Sequence, residues 1–274
     1  MERLTDQTAL ALHRRRALRA PALFLREIIR DEVQERLALV NRSFTAPLVV
    51  TDFPALWPDF PCQAPQGDHL PLPGAAHDLI VLDSLLHWAN DPIGLLVQAR
   101  HALRPDGLLI APLFGGQTLH QLRAALAEAE VALTGGLSPR VLPMGEIRDL
   151  GALLQRAGLA LPVADSVTLE VTHPHVFALA ADLRGMGEQN ALAARLRRPT
   201  PRTLFLRTAQ IMNDRFSDVD GKIRSTFEIV FLTGWAPSPD QPQPLRPGSA
   251  RHHLSEVLAR LAPSSVDGAP KITD

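Results

Sequence analysis

His77-Asp78-Leu79-Ile80-Val81-Leu82-Asp83-Ser84-Leu85-Leu86-His87-Trp88-Ala89-Asn90-Asp91-Pro92 is the stretch on which the fold turns. Leu79 to Leu82 is a short continuous apolar run, the signature of a strand buried on both faces of a parallel sheet. Asn90 or Asp91 is placed to cap a helix whose first position is Pro92, where the missing N–H costs nothing. Ile93, Leu96, Val97 and Leu103 are expected on the inner face of that helix, and Arg104-Pro105-Asp106-Gly107 stops it. Leu108 to Leu113 then reads as the next strand. A strand, a helix and a second apolar strand at this spacing predict an α/β protein with a parallel sheet.

Downstream, Gly115-Gly116 turns the chain into a helix with Leu119, Leu122, Leu126, Ala129 and Leu133 at helical spacing. A further helix is expected from about Gly145 to Ala157, ended by Gly158, and then a strand through Val163 to Val171. Pro174 to Ser217 reads as helix in pieces, cut near Gly185-Met186-Gly187 and Pro199-Thr200-Pro201, and is expected over the ligand-binding edge of the sheet. Thr226 to Trp235 predicts a final strand inserted beside the previous one. Pro237 to Pro247 is a proline-rich connector, and the end from Ser264 carries no core signal.

Upstream, Thr8 to about Val40 is helical in pattern, broken at Pro21, with Leu25, Ile28, Ile29 and Val33 forming an apolar stripe. The helix bearing Arg14, Arg15, Arg16 and Arg19 reads as surface-exposed rather than as a targeting segment, because Glu2 and Asp6 precede it. Leu48 to Phe53 predicts a short buried strand. Between it and Asp78 stand Pro54, Pro58, Pro61, Pro65, Pro71 and Pro73, and proline breaks helix interiors, so no crossover helix is expected there. A strand–helix–strand unit needs about 30 residues, so the sheet is expected to be shortened by one or two strands. The expected domains are a helical segment over 1–46, an α/β domain over 47–236 with a helical insertion at about 174–220, and a connector with a tail over 237–274.

With 274 residues, 46% of them hydrophobic, the chain can bury a full core. A formal charge of −1 gives no electrostatic case for a nucleic-acid partner. Cys62 is alone, which excludes an internal disulfide and fits a reducing, cytoplasmic setting. No apolar run approaches the roughly 20 residues of a membrane-spanning helix, so no span is expected.

Several segments together carry a family resemblance: Leu86-His87-Trp88-Ala89-Asn90-Asp91, Leu113-Phe114-Gly115-Gly116-Gln117-Thr118-Leu119, Gly135-Gly136-Leu137-Ser138-Pro139, Asp182-Leu183-Arg184-Gly185-Met186-Gly187-Glu188-Gln189-Asn190 and Phe231-Leu232-Thr233-Gly234-Trp235. From about Asp78 to Trp235 the chain resembles one branch of the class I S-adenosylmethionine-dependent methyltransferase superfamily, the group of mitochondrial complex I assembly factor 5 and its bacterial relatives. The resemblance implies a Rossmann-like methyltransferase fold of seven strands with a helical insertion before the last. For the mitochondrial member it also implies hydroxylation of an arginine on an iron–sulfur subunit of respiratory complex I, so the fold is no proof of methyl transfer. Intact family sites carry a glycine-rich loop after the first strand, where backbone amides approach the cofactor. Here Phe53-Pro54-Ala55-Leu56-Trp57-Pro58 follows, with no glycine until Gly67, and a filled or misshapen S-adenosylmethionine pocket is expected.

The candidate cofactor-binding residues are Asp52, Asp68, Ser84, Leu85 and His87. Asp52 either ends the first strand, or matches an acid that takes the ribose hydroxyls, or starts a turn before Pro54. Asp68 lies two places beyond Gln66, where the family's adenine-contacting acid would fall. His87 and Trp88 sit at the carboxyl edge of a parallel strand, where open α/β sheets bind ligands, or pack locally. Trp88, Glu188 and Asn190 are the candidate substrate-binding residues, with an interhelix turn as the alternative for the last two. No residue takes an assigned catalytic role. No metal site is expected, since His173-Pro174-His175 has no nearby carboxylate in sequence, holds Pro174 between its histidines, and reads as a polar turn. Three functions compete: a complex I assembly or modifying factor with a degraded cofactor site, an active S-adenosylmethionine-dependent methyltransferase, and a non-catalytic protein-interaction module.

Overall fold

Leu79 to Leu82 is buried on both faces, as a continuous apolar run requires, and it lies in the middle of the sheet. The structure, a computed structural model, describes residues 3–241. The end of the proline-rich connector and the tail, from 242 onward, lie outside the described residues. Six strands form one sheet among the described residues: β1 (Pro47–Val50), β2 (Cys62–Gln63), β3 (His77–Leu82), β4 (Leu103–Phe114), β5 (Ala160–His173) and β6 (Ile223–Trp235), in the order β2-β1-β3-β4-β6-β5. The first four run parallel, and β6 lies antiparallel between β4 and β5. The final strand is thus inserted beside the previous one, as its pattern predicts.

Between β1 and β3 the chain holds only the short turn of 3-10 helix Pro54–Leu56 and the two residues of β2. Proline accounts for this: it withholds amide donors and blocks a helix. The sheet has one strand fewer than the seven that the resemblance implies.

The helices are α1 (Gln7–Ala17), α2 (Phe24–Leu39), α3 (Pro92–Ala102), α4 (His120–Thr134), α5 (Ile147–Arg156), α6 (Val176–Met186) and α7 (Arg202–Phe216). Successive strand residues alternate between two cores, since side chains point to opposite faces. Val49, Leu79, Val81, Leu108 and Ile110 pack with Leu25, Ile29 and Val33 of α2, with Ala125 and Ala129 of α4, and with Leu179 of α6 and Ile211 of α7. Leu48, Val50, Ile80, Leu82 and Leu109 pack with Leu95, Leu96 and Ala99 of α3 and Leu150 and Leu154 of α5.

Four sequence expectations are corrected. The inner face of α3 is Leu95, Leu96 and Ala99, while Val97 is exposed. Leu133 likewise points outward from α4. Leu103, expected on the inner face of α3, is instead the first residue of β4, which takes in the helix stop Arg104 to Gly107, with Asp106 at φ +61° marking its irregularity. Arg14 of α1 is buried rather than exposed. Leu10, Arg14 and Ala17 lie at i, i+4 and i+7 and form the inner face of that helix.

Candidate functional site

The connection from β1 leads outward to β2, and the chain then returns to place β3 on the other side of β1. That reversal opens a crevice beyond the carboxyl ends of β1 and β3, the place where open α/β sheets take ligands. Thr51 and Asp52 follow β1 there, and Asp83 and Ser84 follow β3. A network of buried charges converges on them. Arg14 Nη1 donates to Asp52 at 2.6 Å, and Arg14 Nη2 donates to the Ser84 carbonyl at 3.1 Å. Ser84 holds φ +54°, a left-handed conformation that is costly for a residue with a side chain. Asp83, wholly buried, accepts from Thr51 Oγ1 at 2.7 Å, Ser84 Oγ at 3.0 Å and Trp57 Nε1 at 3.3 Å. Arg26 of α2 lies 3.5 Å from Asp83 and stacks over the Phe53 ring, 4.3 Å from its centroid.

Glu188 is the second acidic centre. It accepts from Arg26 Nη2 at 3.1 Å, pairs with His87 Nε2 at 3.2 Å, takes the Trp88 indole N–H, and lies 3.8 Å from Arg14. Burial alone would raise its pKa, but His87, Arg14 and Arg26 outweigh burial and hold the carboxyl down at about 2. Burial pushes the His87 imidazole below its ordinary value despite Glu188. Among the described residues, the buried His87 Nδ1 and the Nε atoms of Arg14 and Arg26 have no hydrogen-bond partner.

The Gly185-Met186-Gly187-Glu188 segment exists to let this happen. A Cβ at Gly185 would lie 2.9 Å from both Cβ and N of Ala22, and one at Gly187 would lie 2.9 Å from Arg14 Cγ. Gly187 also adopts φ +76° to end α6. The two glycines therefore let the α1–α2 segment approach, and the turn between them and Asn190 delivers Glu188 between the arginines.

Glu188 also faces an apolar cavity of about 260 Å³ beneath α6 and α7, which Trp88, Asn190, Phe114, Leu122 and Phe227 help to line, with Arg140 and Arg184 beside them. The structure thus brings together the three residues expected to contact substrate. Asn190 is braced there, donating to the Pro139 carbonyl at 2.9 Å and accepting from Leu192 N at 3.0 Å. Arg140 is held by Glu130, whose carboxyl that arginine keeps at about 2.

The residues expected to hold a cofactor are divided between two neighbouring spaces, which share Gln7 and Gly67 as lining, and the ion network. Asp52 and Leu85 line a cavity of about 80 Å³ beside Arg14. Asp68 accepts from Asn90 N at 2.8 Å and faces a polar surface cleft with Gln66 and Arg197. Ser84 and His87 are buried in the ion network. Small-molecule pockets run to roughly 300 Å³ or more; the cavity beside Arg14 falls short of that, the cleft at Asp68, about 590 Å³, does not, and Phe53 and Trp57 are packed where a glycine loop would leave room. With Arg14 seated on Asp52, the space beside Asp52 and Leu85 is too small for S-adenosylmethionine.

Sequence reasoning missed Arg14, Arg26, Asp83 and Trp57. The signal for Arg14 was its place between Leu10 and Ala17, and for Arg26 its place beside Leu25 on the stripe of α2. The His173-Pro174-His175 turn is polar: His173 Nε2 pairs with Asp182 at 3.1 Å, and His175 caps α6 by accepting from Ala178 N. Among the described residues, no group of three or more His, Cys, Asp or Glu side chains is placed to hold a metal ion.

Comparison with known proteins adds a lineage to this geometry. A family model described as methyltransferase domain matches residues 45–111. The mitochondrial arginine-hydroxylase NDUFAF5 of Danio rerio is 33% identical over 236 residues, covering 84% of this chain and 71% of its own length. The malonyl-[acyl-carrier protein] O-methyltransferase of Xylella fastidiosa (strain M23) is 33% identical over 62% of this chain and 55% of its own length. Phosphoethanolamine N-methyltransferase 2 of Haemonchus contortus, solved in complex with S-adenosyl-L-methionine, superposes with a TM-score of 0.41 at 8% identity, over 76% of this chain and 53% of that one. The chain spans between 41% and 71% of the length of the NDUFAF5 relatives it matches, about half for most of them.

Proposed function

The chain belongs to the family of the arginine-hydroxylase NDUFAF5, and we propose that it acts as an assembly or modifying factor on a protein subunit of respiratory complex I. The observation that carries this reading is the cavity under α6 and α7, where Trp88, Glu188 and Asn190 converge on an apolar space beside Arg140 and Arg184. An apolar hollow with a few directed polar groups suits a side chain presented by a client. On this reading Asp52, Ser84 and His87 serve the ion network rather than a ribose, and Leu85 serves packing. The iron–sulfur subunit implied by the resemblance is the proposed client. No described helix is long and apolar enough to cross a membrane. The proposed setting is the aqueous side on which that subunit matures, cytoplasmic as the sequence reads, or mitochondrial as in the named relatives.

The test is a deletion strain together with a tagged copy of the chain. The tagged chain is expected to co-purify with a complex I iron–sulfur subunit, and peptide mass spectrometry is expected to show loss of an arginine hydroxylation in the deletion strain. A subunit that is neither captured nor changed in mass or abundance would overturn the reading.

A second reading, methyl transfer from S-adenosylmethionine, draws on the methyltransferase-domain match over 45–111. It requires α1 and the 53–58 loop to withdraw and open the nucleotide edge. Direct titration with the cofactor distinguishes the two.

A further inference from the structure

The cavity under α6 and α7 measures about 260 Å³, and Phe114, Leu122, Leu126, Leu183, Met186 and Phe227 make up much of its wall. Protein interiors close around their own side chains to crystal-like density, so an apolar space of this size calls for an occupant from outside. A cavity of about 150 Å³ with such a lining already takes a benzene ring, so this one has room for a phenyl group and the linker behind it. Phe205 of α7 lines the same space and is 41% exposed. A half-exposed aromatic ring opening onto an apolar hollow marks a place where another molecule docks.

The polar groups of the wall decide what that molecule carries. Glu188 is taken up by Arg26, His87 and the Trp88 indole, with Arg14 3.8 Å away. Asn190 is bonded at both ends of its amide, to the Pro139 carbonyl and to Leu192 N. Thr118 Oγ1 donates to the Glu228 carbonyl and accepts from Glu228 N, and Arg140 is held by Glu130 and Thr200 Oγ1. Among the described residues, the side chains left without a partner on this wall are the neutral amide of Gln189 and the exposed guanidinium of Arg184. The wall therefore has no spare carboxylate for a cationic side chain, whose burial without one is costly. On its solvent side it has one spare cation.

We propose that this cavity is an anchor pocket for an aromatic side chain of the client, and that Arg184 at its mouth pairs with a carboxylate next to that side chain in the client sequence. The inference rests on the reading of the chain as a factor acting on a protein client, and it adds the sequence feature by which the client is held, apart from whichever residue is modified. Burial of the ring supplies most of the affinity. The exposed ion pair contributes selection among clients more than strength.

The test uses the full chain with methyl-labelled methionine, and 3-phenylpropionate, 3-phenylpropylammonium, N-acetyl-Asp-Phe-Asp amide and N-acetyl-Lys-Phe-Lys amide as probes. Met144 and Met186 line the cavity, whereas Met212 is buried in the core away from its wall, so binding is expected to move the first two methyl resonances and leave the third. The Asp peptide is expected to bind about fivefold more tightly than the Lys peptide, the order that exposed charge pairs set, and 3-phenylpropionate to fall below the Asp peptide but ahead of the ammonium. Arg184→Gln is expected to bring the two peptides to about equal affinity. Ala180→Phe, which puts a ring into the cavity from α6, is expected to abolish binding of every probe and capture of the client. The unaltered chain decides the matter by itself: Met144 and Met186 resonances that do not move, or equal affinity for the two peptides, would overturn the proposal. Tighter binding of 3-phenylpropionate than of the Asp peptide would also overturn it, since the occupant would then be a free amphiphile. If Ala180→Phe captures a client as the unaltered chain does, the anchor pocket falls and the client reading stands. If the probes bind as expected but the unaltered chain captures no client, the client reading falls and the pocket stands as a peptide site.

Discussion

At the scale of single residues, Glu188 decides more than any other side chain. It is one carboxylate facing two arginines, an imidazole and an indole N–H. Glu188→Gln keeps the shape and removes the charge, leaving Arg14 and Arg26 short of an anion in a buried place. Breaking a buried pair in this way typically costs about 3–5 kcal/mol, and urea denaturation is expected to show a loss of that order. A loss under about 1 kcal/mol would mean that the arginines find solvent instead. Asp91 offers a milder check. Its side chain accepts from Gly94 N at 2.8 Å as the cap of α3, so Asp91→Ala is expected to cost about 1 kcal/mol by the same measurement.

At the scale of elements, the glycines at 185 and 187 set how the N-terminal helices meet α6. Gly185→Ala and Gly187→Ala each place a methyl about 3 Å from atoms of the α1–α2 segment, and overpacking of this kind costs about 1–3 kcal/mol. Limited proteolysis between α1 and α2 is expected to speed up in both variants, because the segment is pushed off its seat; unchanged cleavage would show that α1 and α2 are anchored elsewhere. Much of the element plan was legible from sequence. Strands β3 and β6, helix α2 and the cap and proline start of α3 follow from local patterns, and the prolines from 54 to 73 correctly forbade a crossover helix. The site was legible only in part. Trp88, Glu188 and Asn190 stood out in motifs and do meet at one cavity, whereas Arg14 looked like one of several surface arginines. A charge buried by partners 38 and 174 residues away along the chain, Asp52 and Glu188, leaves no periodic trace. For the same reason the exposed Val97 and Leu133 misled, since apolar spacing fits more than one face of a helix and only the packing partners choose between them.

At the scale of the whole molecule, three paired carboxylates set the response to acid. Glu188, held down by His87 and the arginines, Glu130, held by Arg140, and Asp6, held by the Ala9 amide and Arg195, all sit near about 2 in the folded state. Their folded values lie below their ordinary ones of 4.5, 4.5 and 3.8, so the unfolded chain binds more protons over that interval and acid favours unfolding. The stability they contribute is complete above about pH 4.5 and is lost as the pH falls toward about 2. Thermal melts followed by circular dichroism are expected to drop steeply across that window, and melting temperatures flat through it would contradict the assignment of these groups as charged and paired.

The central claim is that the ligand edge of this methyltransferase-like sheet is closed by an arginine of the chain's own first helix and not shaped for a nucleoside. Isothermal titration of the purified chain with S-adenosylmethionine tests it most directly. The account predicts no heat at millimolar cofactor. Binding at about micromolar strength, worth roughly 8 kcal/mol, would mean that α1 and the 53–58 loop open to admit the cofactor, and would contradict the claim.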